Sequence, residues 1–119
     1  GDYHVSIEGF QVVEDYDGNP AIVIDYTWTN NSDETKRADV TILEKAFQDG
    51  VQLEAAFIAD RSIYDYSTSA KDIRPGTTID VQCAFTLTSE TSNVEFELSE
   101  LFSFSDDIVS MDFNLNEPD

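Results

Sequence analysis

Apolar and polar residues alternate with a period of two through most of this chain, and helical spacing is scarce. Ile22, Ile24, Tyr26 and Trp28 alternate with Val23, Asp25, Thr27 and Thr29. Ile79, Val81, Cys83, Phe85 and Leu87 alternate with Asp80, Gln82, Ala84, Thr86 and Thr88. The same pattern recurs in Val94–Leu98 and, near the end, at Val109, Met111, Phe113 and Leu115. Each run predicts a half-buried antiparallel strand with one apolar face. The opening stretch from Tyr3 to Val13 is apolar at Val5, Ile7, Phe10 and Val12, so its phase slips at Gly9 and predicts a bulge there.

Turn chemistry separates the runs. Asp49-Gly50, between the strand-like stretches Val40–Phe47 and Val51–Phe57, is the strongest short hairpin signal in the chain. Arg74-Pro-Gly-Thr77 fits a type II turn, with proline second and glycine third. Residues 60–74 form the longest irregular connection, and Ser99 to Asp107 carries a short turn of helix in this reading. About seven strands separated by such turns predict an all-β fold, an immunoglobulin-like antiparallel sandwich occupying residues 1–119 as one domain. The Cys–Trp–Cys hallmark of antibody domains is absent.

Eight Phe, five Tyr and one Trp supply enough apolar surface for a core. No apolar run approaches the ~20 residues that a membrane helix needs. Cys83 is the single cysteine, so neither an intramolecular disulfide nor a cysteine-based zinc site can form. The chain begins at Gly1 without an initiator Met, which reads as a processed or cloned start, so that any export signal would not be visible in it.

The net charge is −19, from six basic and 25 acidic residues. A nucleic-acid or anionic-membrane partner needs a basic footprint, which this balance excludes. All six basic residues fall in residues 36–74, together with seven acidic ones. The remainder of the chain is acidic without a single Lys or Arg. The near-neutral middle segment is therefore the expected contact region for a partner.

Asp15, Asp17 and Asn19 occupy alternate positions in DYDGNP, as ligands do in a calcium loop. An EF-hand loop also requires glycine at its sixth position, a bidentate Glu at its twelfth and flanking helices. Counted from Asp15, Gly18 comes too early, Tyr26 stands twelfth and the flanks are strands. The stretch is read as a tight turn in which Asp-Gly supplies the positive φ and Pro20 opens the next strand. Asp15, Asp17 and Asn19 remain the only candidate metal ligands, and no cofactor is expected.

Three stretches, EDYDGNPAIVIDYTWTNNSDET, AFQDGVQLE and IRPGTTIDVQCAFTL, resemble a family of immunoglobulin-like (telokin-like) domains without an established activity. Such domains occur in lipoproteins and secreted proteins of Gram-positive bacteria. The resemblance covers roughly residues 5–98. It implies an exported sandwich tethered at the cell surface, with a lipid anchor upstream, and it implies no catalytic or binding residues. Cys83, and Tyr64 with Tyr66 in the long connection, depart from the family pattern.

Catalytic chemistry finds little support. His4 is the sole histidine and would have to serve any Ser-His-Asp or Cys-His arrangement. Cys83 shares its face with Val81 and Phe85 and reads as a small buried hydrophobe. Trp28 lies on the Ile22–Tyr26 face and reads as core. Asn30-Asn31-Ser32 is formally a glycosylation sequon but reads as a turn. Arg61-Ser-Ile-Tyr-Asp-Tyr66 places Arg61, Tyr64 and Tyr66, residue types enriched in binding hot spots, in one loop. The expected function is a non-enzymatic, extracellular, surface-tethered binding or spacer module for a protein or glycan. The alternative is a cation-dependent enzyme accessory or hydrolytic domain using its acidic loops.

Overall fold

The computed structural model describes residues 2–101 and 108–116. It contains seven strands: β1 Tyr3–Glu14, β2 Pro20–Asn30, β3 Ile42–Gln48, β4 Val51–Gln52, β5 Thr78–Thr86, β6 Val94–Glu100 and β7 Ile108–Phe113. Two single 3-10 turns, Ala38–Val40 and Thr68–Ala70, complete the regular structure among the described residues. The strands form two antiparallel sheets, β1-β2-β5 and β4-β3-β6-β7. This is a β-sandwich whose strand order is compatible with an immunoglobulin-like domain.

The period-two pattern sorts side chains as expected. Ile22, Ile24, Tyr26 and Trp28 of β2 pack with Val81, Cys83 and Phe85 of β5 against Val94, Phe96 and Leu98 of β6. The bulge in β1 lies where the phase slips: Ile7 pairs with Tyr26 and Gly9 with Asp25, leaving Glu8 as the extra residue. That extra residue keeps Phe10, opposite Ile24, on the core side. Asp49 and Gly50 take φ of 53° and 80°, the left-handed conformations that a two-residue primed hairpin requires. Gly76 has φ 82°, and the Thr77 amide donates to the Arg74 carbonyl at 3.3 Å, so the type II turn is present.

Three expectations are corrected. The stretch Val51–Phe57 is not one strand. Val51 and Gln52 pair with β3, and the Leu53 amide makes the last bond to it, at the Ala46 carbonyl (2.7 Å). The chain then crosses to the other sheet, where the Thr86 amide donates to the Glu54 carbonyl (2.8 Å) and the Ala56 amide to the Ala84 carbonyl (3.0 Å). Val40 lies outside β3, exposed on a 3-10 turn. The helical turn expected over Ser99–Asp107 is not formed at its start, because Ser99 and Glu100 pair within the β3-β6-β7 sheet; residues 102–107 lie outside the described residues.

Candidate functional site

The DYDGNP turn is built from its own backbone. Asp15 Oδ1 accepts the amides of Asp17 and Asn19, both at 2.9 Å. The Asp15 amide donates to the Asn19 carbonyl, and Gly18 takes φ 82°. One oxygen of the first candidate ligand is thus committed to main-chain donors, the mark of an Asx turn. Among the described residues no three His, Cys, Asp or Glu side chains gather where they could hold a metal ion.

After β4 the crossing chain becomes a strap over the outer face of the β1-β2-β5 sheet. Ala21, Val23 and Ala84 point away from the core, yet they are buried beneath Ala56, Ile58, Ile63 and Tyr64. Gln82 anchors the strap: its Nε2 donates to Asp25 Oδ1 (2.8 Å) and to the Ile63 carbonyl, and its Oε1 accepts the Asp65 amide (2.7 Å). Asp60 and Asp65 each bend the strap locally by accepting the amide and hydroxyl of Ser62 and Ser67. These serine hydrogen bonds stabilise the charged forms and hold both carboxyls below their ordinary range.

The three residues singled out in this loop have different roles. Arg61 sets its guanidinium 5.5 Å from the Tyr66 ring centroid, with Asp65 3.8 Å away. Arg61 and Tyr66 are exposed and Tyr64 is half-buried. Tyr64 packs its ring against Ala21, Val23 and Ala84, and burial, with Cys83 and Glu44 nearby, pushes its phenol up to about 12. The structure adds two residues that sequence reasoning missed. Tyr16, at the tip of the DYDGNP turn, meets Phe57 of the strap edge-on at 5.6 Å. The Tyr16 amide donates to the Phe57 carbonyl at 2.7 Å. Both rings stay open to solvent, at 70% and 62% exposure, while most other aromatic side chains are packed. A cavity of about 470 Å³ opens beside them, with Glu14, Asp60, Ile58 and Ile63 in its wall. The pair joins two segments more than thirty positions apart, so no local pattern announced it.

The interior carries polar groups of a different kind. Ile42, Glu44, Ala46 and Gln48 of β3 all point inward, so a carboxylate enters the core. The Tyr26 hydroxyl donates to Glu44 Oε2 at 2.6 Å across the space between the sheets. Burial raises the Glu44 carboxyl above its ordinary value against the opposing effect of this bond, and it raises the Tyr26 phenol as well. Cys83 is buried beside them and its thiol is likewise pushed up, which leaves it protonated and inert. Asn30 is fully buried. Its Nδ2 donates to the carbonyls of Glu34 and Ile73, and its Oδ1 accepts from Ser32. The sequon asparagine is therefore a clasp, with no surface for a glycan. Gln48 closes the 88–92 loop in the same way.

A two-sheet sandwich with a strapped outer face is the class these features define. A family model described as a domain of unknown function, DUF5067, matches residues 1–100, and the chain belongs to that family. No curated protein and no solved structure matches the chain.

Proposed function

We propose that the chain is a non-enzymatic binding module, displayed outside the cell on a surface tether, that takes a protein or glycan on its strap face. The observation that carries this reading is the Tyr16–Phe57 pair. Two large rings are held in solvent by a main-chain hydrogen bond, and Tyr16 borders a cavity whose wall mixes the carboxylates of Glu14, Asp15 and Asp60 with apolar side chains. Full burial of such a side chain stabilises by roughly 1.5–3 kcal/mol, and this pair, left largely open, forgoes most of it. Arg61 and Tyr66 extend the same strap with a second polar-aromatic contact. The extracellular setting and the tether come from the resemblance to lipoprotein and secreted domains of Gram-positive bacteria.

The test is co-sedimentation of the purified chain with insoluble cell-wall glycan and, separately, with beads bearing cell-surface protein. Tyr16→Ala and Phe57→Ala should each melt within a degree or two of wild type and lose binding roughly tenfold, as a hot-spot aromatic does. Equal retention of wild type and both variants would remove the strap face from consideration. Turnover of either material would replace the binding reading with an enzymatic one.

A further inference from the structure

The last strand of the larger sheet presents a different surface, on the face away from the strap. β7 pairs with β6 on one side, and among the described residues nothing pairs with its other edge. Alternate N–H and C=O groups of an edge strand point outward as an open template. Proteins normally blunt such an edge with charged side chains (Lys above all), Pro or a bulge; Ile108–Phe113 has no Lys, no Pro and no bulge, and its one charge is Asp112.

The side chains of β7 are as open as its backbone. Val109 and Met111 lie opposite Leu98 and Phe96, so they face the interior, yet they are 41% and 43% exposed. The reason is the strand across from them. β1 is also an edge, and the two strands meet at Phe10 and Phe113, whose centroids lie 4.7 Å apart. Two cavities open along this seam: about 520 Å³ beside Gly9 and Met111, with Phe10 and Phe113 themselves in its wall, and about 230 Å³ between Val5 and Val109. The pockets beside Val109 and Met111 are two strand positions apart, which places them ~7 Å from each other.

Charge selects the occupant. Glu8, Asp25 and Asp112 rim the larger cavity and Glu100 the smaller. On the outer face of the same sheet Glu95 stands directly opposite Asp112, a like-charge cross-strand pair that costs stability when left alone. No Lys or Arg occurs in β1, β2, β5, β6 or β7.

We propose that the free edge of β7 takes an extended cationic peptide as an added strand. Apolar side chains of one parity drop beside Val109 and Met111. Lys or Arg of the other parity lie against Asp112, and Glu95, one strand further in, adds its charge to the same face. Backbone pairing supplies affinity and the alternating pockets supply selectivity. A second copy of the chain fits less well, because it would bring another −19 and a second Asp112 to the seam. The proposal does not depend on the strap reading: Tyr16, Phe57, Arg61 and Tyr66 line neither cavity, and the strap's anchor Gln82 shares only Asp25 with this seam.

The probe is a fluorescein-labelled peptide of alternating Lys and Val, followed by anisotropy at low and high salt. Three comparisons accompany it: the same peptide N-methylated at alternate residues, a Glu/Val counterpart, and the chain carrying Met111→Lys, which imitates natural edge protection. Saturable binding is expected, with slowed amide exchange at Val109–Asp112. Binding should weaken at least about tenfold with the N-methylated peptide and with M111K, and disappear with the Glu/Val peptide. Glu95→Gln should weaken binding and leave melting unchanged or higher, so a fold defect in M111K would not obscure the result. Absence of binding, or binding indifferent to N-methylation and to M111K, would overturn the added-strand geometry. Concentration-dependent dimerisation that protects the same amides would assign the edge to a second copy instead.

Discussion

Trp28 and Glu44 show how differently single residues contribute. Trp28 is fully buried and stacks on Tyr3 at 5.5 Å, with no hydrogen-bond partner for its Nε1 among the described residues. Its value is therefore volume, and Trp28→Ala should destabilise by ~3–5 kcal/mol in chemical denaturation, as should Phe85→Ala. Glu44 contributes with the opposite sign at neutral pH. The native state holds its proton more tightly than the unfolded chain does. Its contribution is favourable below the ordinary value of 4.5 and is lost as pH rises through the raised native value. Asp60 and Asp65 act in the reverse sense: their contribution is present above 3.8 and is lost as pH falls through their lowered values. Glu44→Gln keeps an acceptor for the Tyr26 hydroxyl and removes the charge. It should raise Tm at pH ~8 and flatten the gain in Tm that wild type shows on acidification toward pH ~5. A Tm profile parallel to wild type would mean that the Glu44 carboxylate is effectively solvated.

At the scale of elements, calcium offers a clean discriminator for the DYDGNP turn. Its geometry rests on Asp15, whose Oδ1 holds two amides, while Asp17 takes part through its main-chain amide. Millimolar Ca²⁺ and Mg²⁺ should therefore raise Tm slightly and equally, and Asp17→Asn should change little. A calcium-selective isotherm abolished by that substitution would overturn the turn reading. Most of the elements were legible because their signals are local: alternation for β1, β2, β5 and β6, the phase slip for the bulge, Asp-Gly for the β3–β4 hairpin. The failures share a cause. Ala21, Val23 and Ala84 read as an outward face, and nothing nearby in sequence says that a strap will cover them. Val51–Phe57 looks like one strand because alternation does not record which sheet a residue joins. Glu44 stands between Ile42 and Ala46 on the inward parity of β3, and nothing local says that a tyrosine from the facing sheet will meet it. The Tyr16–Phe57 pair depends on two loops meeting, which only the assembled fold decides.

The whole molecule is an acidic body with a radius of gyration of 14.3 Å, and its net charge of −19 is far from balanced. Folding brings carboxylates of distant segments together, as Glu95 and Asp112 illustrate. Salt screens such repulsion over ~8–10 Å, so Tm at neutral pH should climb with added NaCl at moderate concentrations. A Tm indifferent to salt would mean local compensation of the acidic faces. The open seam between β1 and β7 has a further, mechanical meaning. Tyr3 and Val5 lie beside Val109, and Gly9 and Phe10 beside Met111 and Phe113, so the two edge strands run in the same direction. The chain enters at one end of the sandwich and leaves β7 at the other. Tension applied between those points pulls β1 along β2 and β7 along β6. Ladder bonds lie across the strands, so many share such a load at once, and they break together rather than in succession. Handles at residues 3 and 31, where the paired ends of β1 and β2 meet, would instead peel one bond at a time. Single-molecule stretching should thus record a higher rupture force for handles at residues 3 and 113 than for handles at 3 and 31. A body of this design behaves as a stiff link along its length and opens like a zipper when pulled from the side.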